Sequence, residues 1–263
     1  MAGYNASAHI VAHLTAIMNI LGTTTPSLWP FLEKTGNLVS GLSVGDLIPS
    51  ETAGAASPLE TDFVPYEHPG GVFTYHFHPT GDHHLAGIDH ANYSFGNGTV
   101  DTPFSVGAFI LPNAIVSNTI MGKYDSGVGV AREWRFSIDA AGKLALDLYD
   151  ESADTTEIAI SDTALVIGRG VFVVATYDGG ETSPVINLYV DAKLDNNGSS
   201  VETGAYVAME NTVTPLTVGC NGLTALPAQE FHGRIALPFV TGKALTAAEV
   251  VSLYNIYRAL LGF

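Results

Sequence analysis

The chain has 263 residues, of which 46% are hydrophobic and 14% are charged, and its 28 glycines and 13 prolines are typical of many short strands joined by turns. Its formal net charge is −16 and its few lysines and arginines are scattered, so we expect no nucleic acid partner, because phosphate recognition needs clustered cations. The single cysteine, Cys220, excludes an intrachain disulfide, and no stretch approaches the roughly 20 apolar residues of a membrane-spanning helix, so we expect no membrane insertion.

The first predicted element is a helix within residues 5–22, ended by Gly22. We assign residues 1–25 to an N-terminal helical arm, whose apolar residues recur at helical spacing on one face. Two roles remain open for this stripe: packing on the parent domain, or docking on another subunit. The predicted assembly residues of the stripe are Ile10, Leu14, Ile17 and Leu21. The chain starts without the basic region of a secretory signal, and we expect none.

Residues 26–263 are predicted to form one sandwich domain. A short strand at 28–32 precedes a loop-rich insertion at about 33–70, and long irregular stretches of this kind are typically functional or interfacial. From residue 71 onward, hydrophobic residues alternate with a period of two in many short segments separated by turns. Such strands without intervening helices indicate a β-sandwich or a barrel.

The last predicted element is a C-terminal helix at 246–261. Thr246 and Glu249 have the spacing of a capping box, in which each side chain accepts a hydrogen bond from the backbone amide of the other residue. An apolar stripe follows, and its Tyr257 and Leu261 complete the set of predicted assembly residues.

From Asn92 onward, a series of short sequence segments resembles laminin-G-like, concanavalin A-like lectin/glucanase domains. The phrase Ile-Met-Gly-Lys-Tyr-Asp at 120–125 is similar to a strand end of that family, and Phe109 and Ala192 depart from its usual Trp and Gly. The similar segments are 93–109, 120–125, 133–144, 172–179, 187–191, 231–236 and 244–250. The resemblance implies an all-β fold, an antiparallel jelly-roll β-sandwich with adjacent first and last strands. To this fold the chain adds an N-terminal helix and a C-terminal helix, which would emerge near one another.

Glycosidases on this fold carry paired carboxylates with the spacing Glu-x-Asp-x-x-Glu on one strand, and no such triplet occurs here. We therefore predict no catalytic residue, no enzymatic activity and no required cofactor. Calcium is the common ion of the family, and Asp101 and Asp125 are its candidate ligands in this chain. The alternative for both is an aspartate that caps a turn.

Six of the nine histidines fall between residues 68 and 90. His76 and His78 alternate on a predicted strand and share a face, while His83 and His84 lie on the turn after it. Together they could hold a divalent transition metal. The alternative is a polar edge strand whose imidazoles form hydrogen bonds or face a subunit contact, which would make assembly sensitive to mild acid.

The resemblance, the absence of catalytic carboxylates and the two added helices favour a non-enzymatic structural or assembly protein. We expect a viral (phage) particle component, such as a capsid decoration, spike or fibre subunit, made in the host cytoplasm and located in the virion. Its partners would be other copies of itself and other particle proteins.

The alternative is a carbohydrate-binding, lectin-like module for adhesion at an extracellular surface, whose partners would be surface glycans. Its candidate ligand-binding residues are Trp134, Tyr149 and Tyr206, because aromatic rings stack on sugars. The two functions are compatible in an adhesive fibre.

Overall fold

The computed structural model describes residues 8–23, 26–30, 48–50, 66–67, 71–78, 83–127, 131–180, 184–196, 200–223 and 229–263. Most of the predicted insertion at 33–70 lies outside these residues, apart from two short strands. No helix in the described ranges has the length and apolarity needed to cross a membrane.

Within the described residues, the elements follow the chain as two terminal α-helices with sixteen strands between them. In chain order they are α1 (Ala8–Leu21), β1 (Ser27–Leu28), β2 (Ile48–Ser50), β3 (Tyr66–Glu67), β4 (Phe73–Phe77), β5 (His84–Ala86), β6 (Phe104–Pro112), β7 (Asn118–Asp125), β8 (Ala131–Ile138), β9 (Lys143–Asp150), β10 (Thr155–Ala164), β11 (Val171–Tyr177), β12 (Ile186–Val190), β13 (Lys193–Leu194), β14 (Ser200–Thr203), β15 (Thr217–Val218), β16 (Gly233–Thr241) and α2 (Ala247–Leu261).

The strands form two eight-stranded sheets, confirming the predicted antiparallel sandwich. Sheet A has the order β13-β12-β11-β6-β16-β4-β3, with β1 also paired to β16, and sheet B has the order β14-β10-β9-β8-β7-β15-β5-β2. The pairing of Leu28 with Phe239 places the first strand beside the last, as the resemblance implied. Sequence neighbours β8, β9 and β10 are also spatial neighbours, so consecutive hairpins build the middle of sheet B.

The main core lies between the two sheets and is rich in aromatic rings. Phe95 and Phe104 are stacked with ring centroids 4.3 Å apart, and Phe104 lies 5.5 Å from Trp134. Each fully buried ring of this kind stabilises the fold by about 1.5–3 kcal/mol relative to an exposed one.

A second core forms on the outer face of sheet A, where α1 and α2 pack. Thr241 Oγ1 donates to the Leu21 carbonyl at 2.8 Å, and the Tyr257 hydroxyl donates to the Leu237 carbonyl at 2.6 Å. The described part of the predicted N-terminal arm is therefore docked on its own domain. All six predicted assembly residues are buried in this core, so their side chains are engaged within the chain: Ile10, Leu14, Ile17, Leu21, Tyr257 and Leu261.

The ends of both helices match the sequence pattern. Thr246 and Glu249 form the predicted capping box of α2, and Gly262 ends this helix in a left-handed conformation. Gly22, with φ +87°, donates to the Met18 carbonyl and closes α1.

Candidate functional site

Among the described residues, α1 and α2 cover the outer face of sheet A, and no helix covers the outer face of sheet B. On β9, Leu144, Leu146 and Leu148 point into the main core, so the alternate residues face outward. These outward residues include Asp147 and Tyr149, and the second core of the two helices contains residues of sheet A but none of β8, β9 or β10. This alternation makes the outer face of β8–β10 the candidate site.

A groove of about 200 Å³ lies on this face. Ile158 and Ile160 of β10, together with Ala145 of β9, give it an apolar floor. Arg135, Asp147, Gln229, Ser117, Ser137 and Asp139 supply its polar rim. An apolar floor with a few convergent polar groups is the usual form of a small-ligand site in proteins.

Arg135 is the centre of the polar rim. Its Nε donates to Asp147 Oδ2 at 2.7 Å, its Nη2 donates to the same oxygen, and its Nη1 donates to Gln229 Oε1. The guanidinium carbon lies 4.7 Å from the centroid of the Tyr124 ring. Burial raises the pKa of Asp147, and the positive charge of Arg135 opposes that rise.

A second arginine cluster continues the same face along β8 and β9. Arg132 donates from Nε to Glu151 Oε2 at 2.7 Å, from Nη2 to Asp154 Oδ1 at 2.9 Å, and from Nη1 to the Tyr149 hydroxyl. That hydroxyl donates to Asp154 Oδ1 at 2.7 Å. Burial and this bond raise the pKa of Tyr149 to about 12, and the same bond lowers the pKa of Asp154.

Two non-glycine residues of these clusters have left-handed backbones, Gln229 with φ +51° and Asp154 with φ +52°. Such conformations cost roughly 1–3 kcal/mol and concentrate at ligand sites. In both residues the side chain accepts a hydrogen bond from an arginine, so the strained backbone positions lie within the hydrogen-bonded polar surface.

The structure separates the three predicted ligand-binding aromatics. Tyr149 is half-buried on the candidate face. Trp134 is fully buried in the main core, where its indole Nε1 donates to the Tyr93 carbonyl at 2.8 Å. Tyr206 is 7% exposed, and its hydroxyl donates to Asp101. The rings of Trp134 and Tyr206 are therefore not presented to a ligand.

The two predicted calcium ligands are occupied by hydrogen bonds. Asp101 accepts from the hydroxyls of Tyr177 and Tyr206 at 2.8 and 2.5 Å, and from the Met209 amide at 2.9 Å. Asp125 accepts from the amides of residues 127 and 223 at 2.8 and 3.1 Å. Asp125, which accepts from the amide two residues further on, has the turn-capping role that the sequence left open, whereas Asp101 joins segments that are distant in the chain.

Of the four predicted histidine ligands, His76 belongs to β4 of sheet A and His84 to β5 of sheet B, while His78 and His83 lie just outside these strands. His76, His78 and His232 line a depression of about 310 Å³ on sheet A, whereas His84 belongs to β5 of sheet B. The ring centroids of His76 and His78 are 6.0 Å apart, and His83 Nδ1 accepts from the His78 amide at 3.2 Å. Burial and the charge of Arg234 lower the pKa of His76.

In the part of the chain that the structure describes, no three His, Cys, Asp or Glu side chains are arranged to hold a metal ion. The metal roles of the four histidines stay a prediction.

A buried ion cluster at one end of the main core was not foreseen from the sequence. Lys123 is fully buried, and its Nζ lies 2.7 Å from Asp89 Oδ1 and 3.0 Å from Glu133 Oε1. It also donates to Ser94 Oγ at 2.9 Å and to the Thr212 carbonyl at 3.2 Å. Lys123 thus ties two loops to β7, and its position in the family-like phrase at 120–125 was the available signal.

Comparison with solved structures returns sandwich domains of very different sequence. The binding domain of Paraclostridial Mosquitocidal Protein 1 has a TM-score of 0.61 at 12% identity, covering 90% of this chain and 53% of that one. A structure concerned with the entry of botulinum neurotoxin type C, which depends on two ganglioside molecules, has a TM-score of 0.57 at 15% identity, covering 90% and 52%. A mutant Trypanosoma rangeli sialidase displaying trans-sialidase activity has a TM-score of 0.55 at 12% identity, covering 97% and 39%.

The chain therefore spans about half the length, or less, of these solved chains. At such identities the likeness shows the fold alone. No curated protein sequence matches the chain. A family model described as the concanavalin A-like lectin/glucanases superfamily matches residues 86–251, which is more than half of the chain. The match spans β6 to β16, and the chain belongs to the concanavalin A-like lectin/glucanases superfamily.

Proposed function

We propose that this chain is a non-enzymatic, lectin-like binding domain that recognises carbohydrate in the groove on the outer face of sheet B. The observation that carries the proposal is the polar array of Arg135, Asp147 and Gln229 beside the apolar floor of Ile158 and Ile160. Sugars present hydroxyls along their edges and C–H groups on their faces, and this groove offers partners for both.

The surroundings of the groove fit a pre-organised binding site. The guanidinium of Arg135 is held by Asp147 and Gln229, and Asn221 Nδ2 donates to the same Gln229 oxygen at 3.1 Å. Side chains fixed in this way lose little conformational entropy when a ligand binds. The binding domain of the mosquitocidal protein and the botulinum neurotoxin whose cell entry depends on ganglioside molecules share the fold, which supports recognition of glycans as the general class.

The carboxylates of the chain favour binding of carbohydrate without hydrolysis. Oδ2 of Asp147 accepts two hydrogen bonds from Arg135, and the paired carboxylates of glycosidases on this fold are missing from the sequence. An assay for release of reducing sugar should give no turnover for any glycan that binds. Turnover lost in the Asp147→Asn variant would contradict this part of the proposal.

A broad glycan array tests the function directly. We expect the wild-type chain to bind a restricted set of glycans. Gln229→Asn should weaken that binding because it withdraws the amide from Arg135, while asparagine tolerates the left-handed backbone. The control is Lys193→Gln on the exposed strand β13 of the other sheet. An array without any bound glycan would count against the proposal.

The finer role as a phage or virus particle component stays a prediction, supported by the sequence resemblance, the absence of a glycosidase carboxylate triplet and the two added helices. The apolar stripe of α1 is engaged within the chain, so assembly would need another surface. Size-exclusion chromatography with light scattering tests it, and a monomer at all concentrations without particle association would contradict it. A glycan-binding domain on an adhesive fibre would satisfy both roles.

A further inference from the structure

We propose that the groove on the outer face of sheet B selects uncharged carbohydrate and rejects glycans that carry carboxylate or sulfate groups. The inference rests on the proposed carbohydrate-binding function and adds the charge class of the ligand. It follows from how the cations of this face are already paired.

The two arginines of the face have no nitrogen left without an acceptor. Each of the three guanidinium nitrogens of Arg135 donates to Asp147 or Gln229, and each of those of Arg132 donates to Glu151, Asp154 or Tyr149. A carboxylate ligand is usually clamped by a pair of parallel N–H groups from one arginine. Arg132 cannot offer such a pair without first breaking an existing charge-assisted bond, and the side-on pair of Arg135, Nε–H with Nη2–H, is already taken by Asp147.

The flat faces of the two guanidinium groups are also in use. The guanidinium carbon of Arg132 lies 3.6 Å from the centroid of the Tyr149 ring, and that of Arg135 lies 4.7 Å from the Tyr124 centroid. Stacking on an aromatic ring together with edge-on pairing holds each arginine in one geometry. If either arginine turned toward an anionic ligand, it would lose both its stacking on the tyrosine ring and its hydrogen bonds to the neighbouring side chains.

Negative charge exceeds positive charge on this face. The groove is lined by one cation, Arg135, and by two carboxylates, Asp139 and Asp147. Beside the groove, Arg132 is paired with Glu151 and Asp154, and Lys143 begins β9. An anionic ligand would thus meet net repulsion, and like charges placed together lower affinity strongly in a partly buried site.

The same arrangement leaves acceptors for hydroxyl groups. Arg135 donates twice to Asp147 Oδ2, and among the described residues no hydrogen bond reaches Asp147 Oδ1. An ionised carboxylate accepts several hydrogen bonds, so Asp147 can receive sugar O–H groups while it stays paired. Neutral sugars, which carry many hydroxyl donors and no charge, fit this surface.

Matched glycan pairs test the inference. Each pair consists of a neutral oligosaccharide and the same oligosaccharide with a terminal sialic acid or a sulfate. We expect the neutral member to bind the wild-type chain at least about tenfold more tightly, which corresponds to about 1.4 kcal/mol. Stronger binding of the charged members would overturn the inference and leave the proposed function standing. Absence of binding to every pair would overturn the proposed function itself.

Two variants give a second readout. Asp147→Asn removes one negative charge and releases Arg135, so the ratio of charged to neutral binding should rise by about tenfold. Asp139→Asn, whose side-chain oxygen can still accept from the Ala141 and Lys143 amides, should raise the ratio less and serves if the first variant unfolds. Lys143→Gln removes a positive charge beside the groove and should lower the ratio. A ratio that both aspartate variants leave unaltered, or that Lys143→Gln raises, would contradict the charge argument.

Discussion

The guanidinium of Arg132 is stacked on the ring of Tyr149, with its central carbon 3.6 Å from the ring centroid. Tyr149 is the predicted ligand-binding aromatic that stays half exposed, and the arginine covers one of its faces. Only the opposite face and the edge of the ring can meet a sugar. Tyr149 therefore lies beside the groove on β9 with one covered face, and it is not a platform open on both sides.

Loss of Lys123 should be severely destabilising. Lys123→Met leaves Glu133 buried without its cation, and breaking a buried pair in this way costs about 3–5 kcal/mol. Chemical denaturation measures the loss. Lys193→Met on the exposed strand β13 is the control and should change the unfolding free energy by less than about 0.5 kcal/mol. Equal effects of the two variants would show that the buried cluster has no energetic role.

Glu133 should make stability depend on pH. Burial raises its pKa above the ordinary value of 4.5, against the opposing effects of Lys123 and Thr212. A raised folded-state pKa contributes stability that is fully present below pH 4.5 and is lost as pH rises through the folded-state pKa. The unfolding free energy of Glu133→Gln, relative to wild type, should therefore increase as pH rises from 4.5 toward neutrality. Parallel pH profiles for the two proteins would contradict the assigned shift.

The docking of α1 within the chain predicts a stability effect that does not depend on protein concentration. Ile17 is fully buried, so Ile17→Ala should cost about 2–5 kcal/mol, whereas Val11→Ala at a 52% exposed position should cost less than about 0.5 kcal/mol. Differential scanning calorimetry at several protein concentrations should give one Tm for each protein. A Tm that rises with concentration, and does so less in the Ile17 variant, would show that the helix packs between subunits.

Removal of calcium should have no effect on folding. Asp101 and Asp125 already accept the hydrogen bonds of tyrosine hydroxyls and backbone amides, which leaves them committed to joining loops. Thermal unfolding in EDTA and in excess calcium should therefore give the same Tm. A calcium-dependent rise in Tm that disappears in Asp101→Asn would restore the predicted ion site.

The fold was largely predictable because it follows from local patterns. Alternation of apolar residues located the strands, and the Thr246–Glu249 spacing located the start of α2. The same alternation on β8 sets Trp134 and Phe136 inward and Arg135 outward, which was enough to foresee a buried Trp134. Trp134 was predicted as a ligand-binding residue because its ring could stack on a sugar, although the alternation on β8 indicates that this ring points into the core.

The candidate site was not predictable, because it depends on register between distant segments. Arg135 lies opposite Asp147 because β8 pairs with β9. This contact could be predicted from the sequence, since the two strands form one hairpin. Gln229 reaches the same arginine from 94 positions further along the chain, and no local pattern marks it. The six predicted assembly residues had a clear local pattern but no known partner. An apolar stripe on a helix indicates that the helix packs on a surface, but not whether that surface belongs to the same chain.

The most direct test of carbohydrate recognition is calorimetric titration of the strongest neutral glycan from the array into the wild-type chain, Gln229→Asn and Lys193→Gln. We predict measurable binding by the wild type, a loss of about tenfold or more in Gln229→Asn, and no change in Lys193→Gln. Thermal unfolding of each variant confirms that all three are folded. Binding that Gln229→Asn leaves unchanged, or no binding by the folded wild type, would contradict the assignment of carbohydrate recognition to the outer face of sheet B.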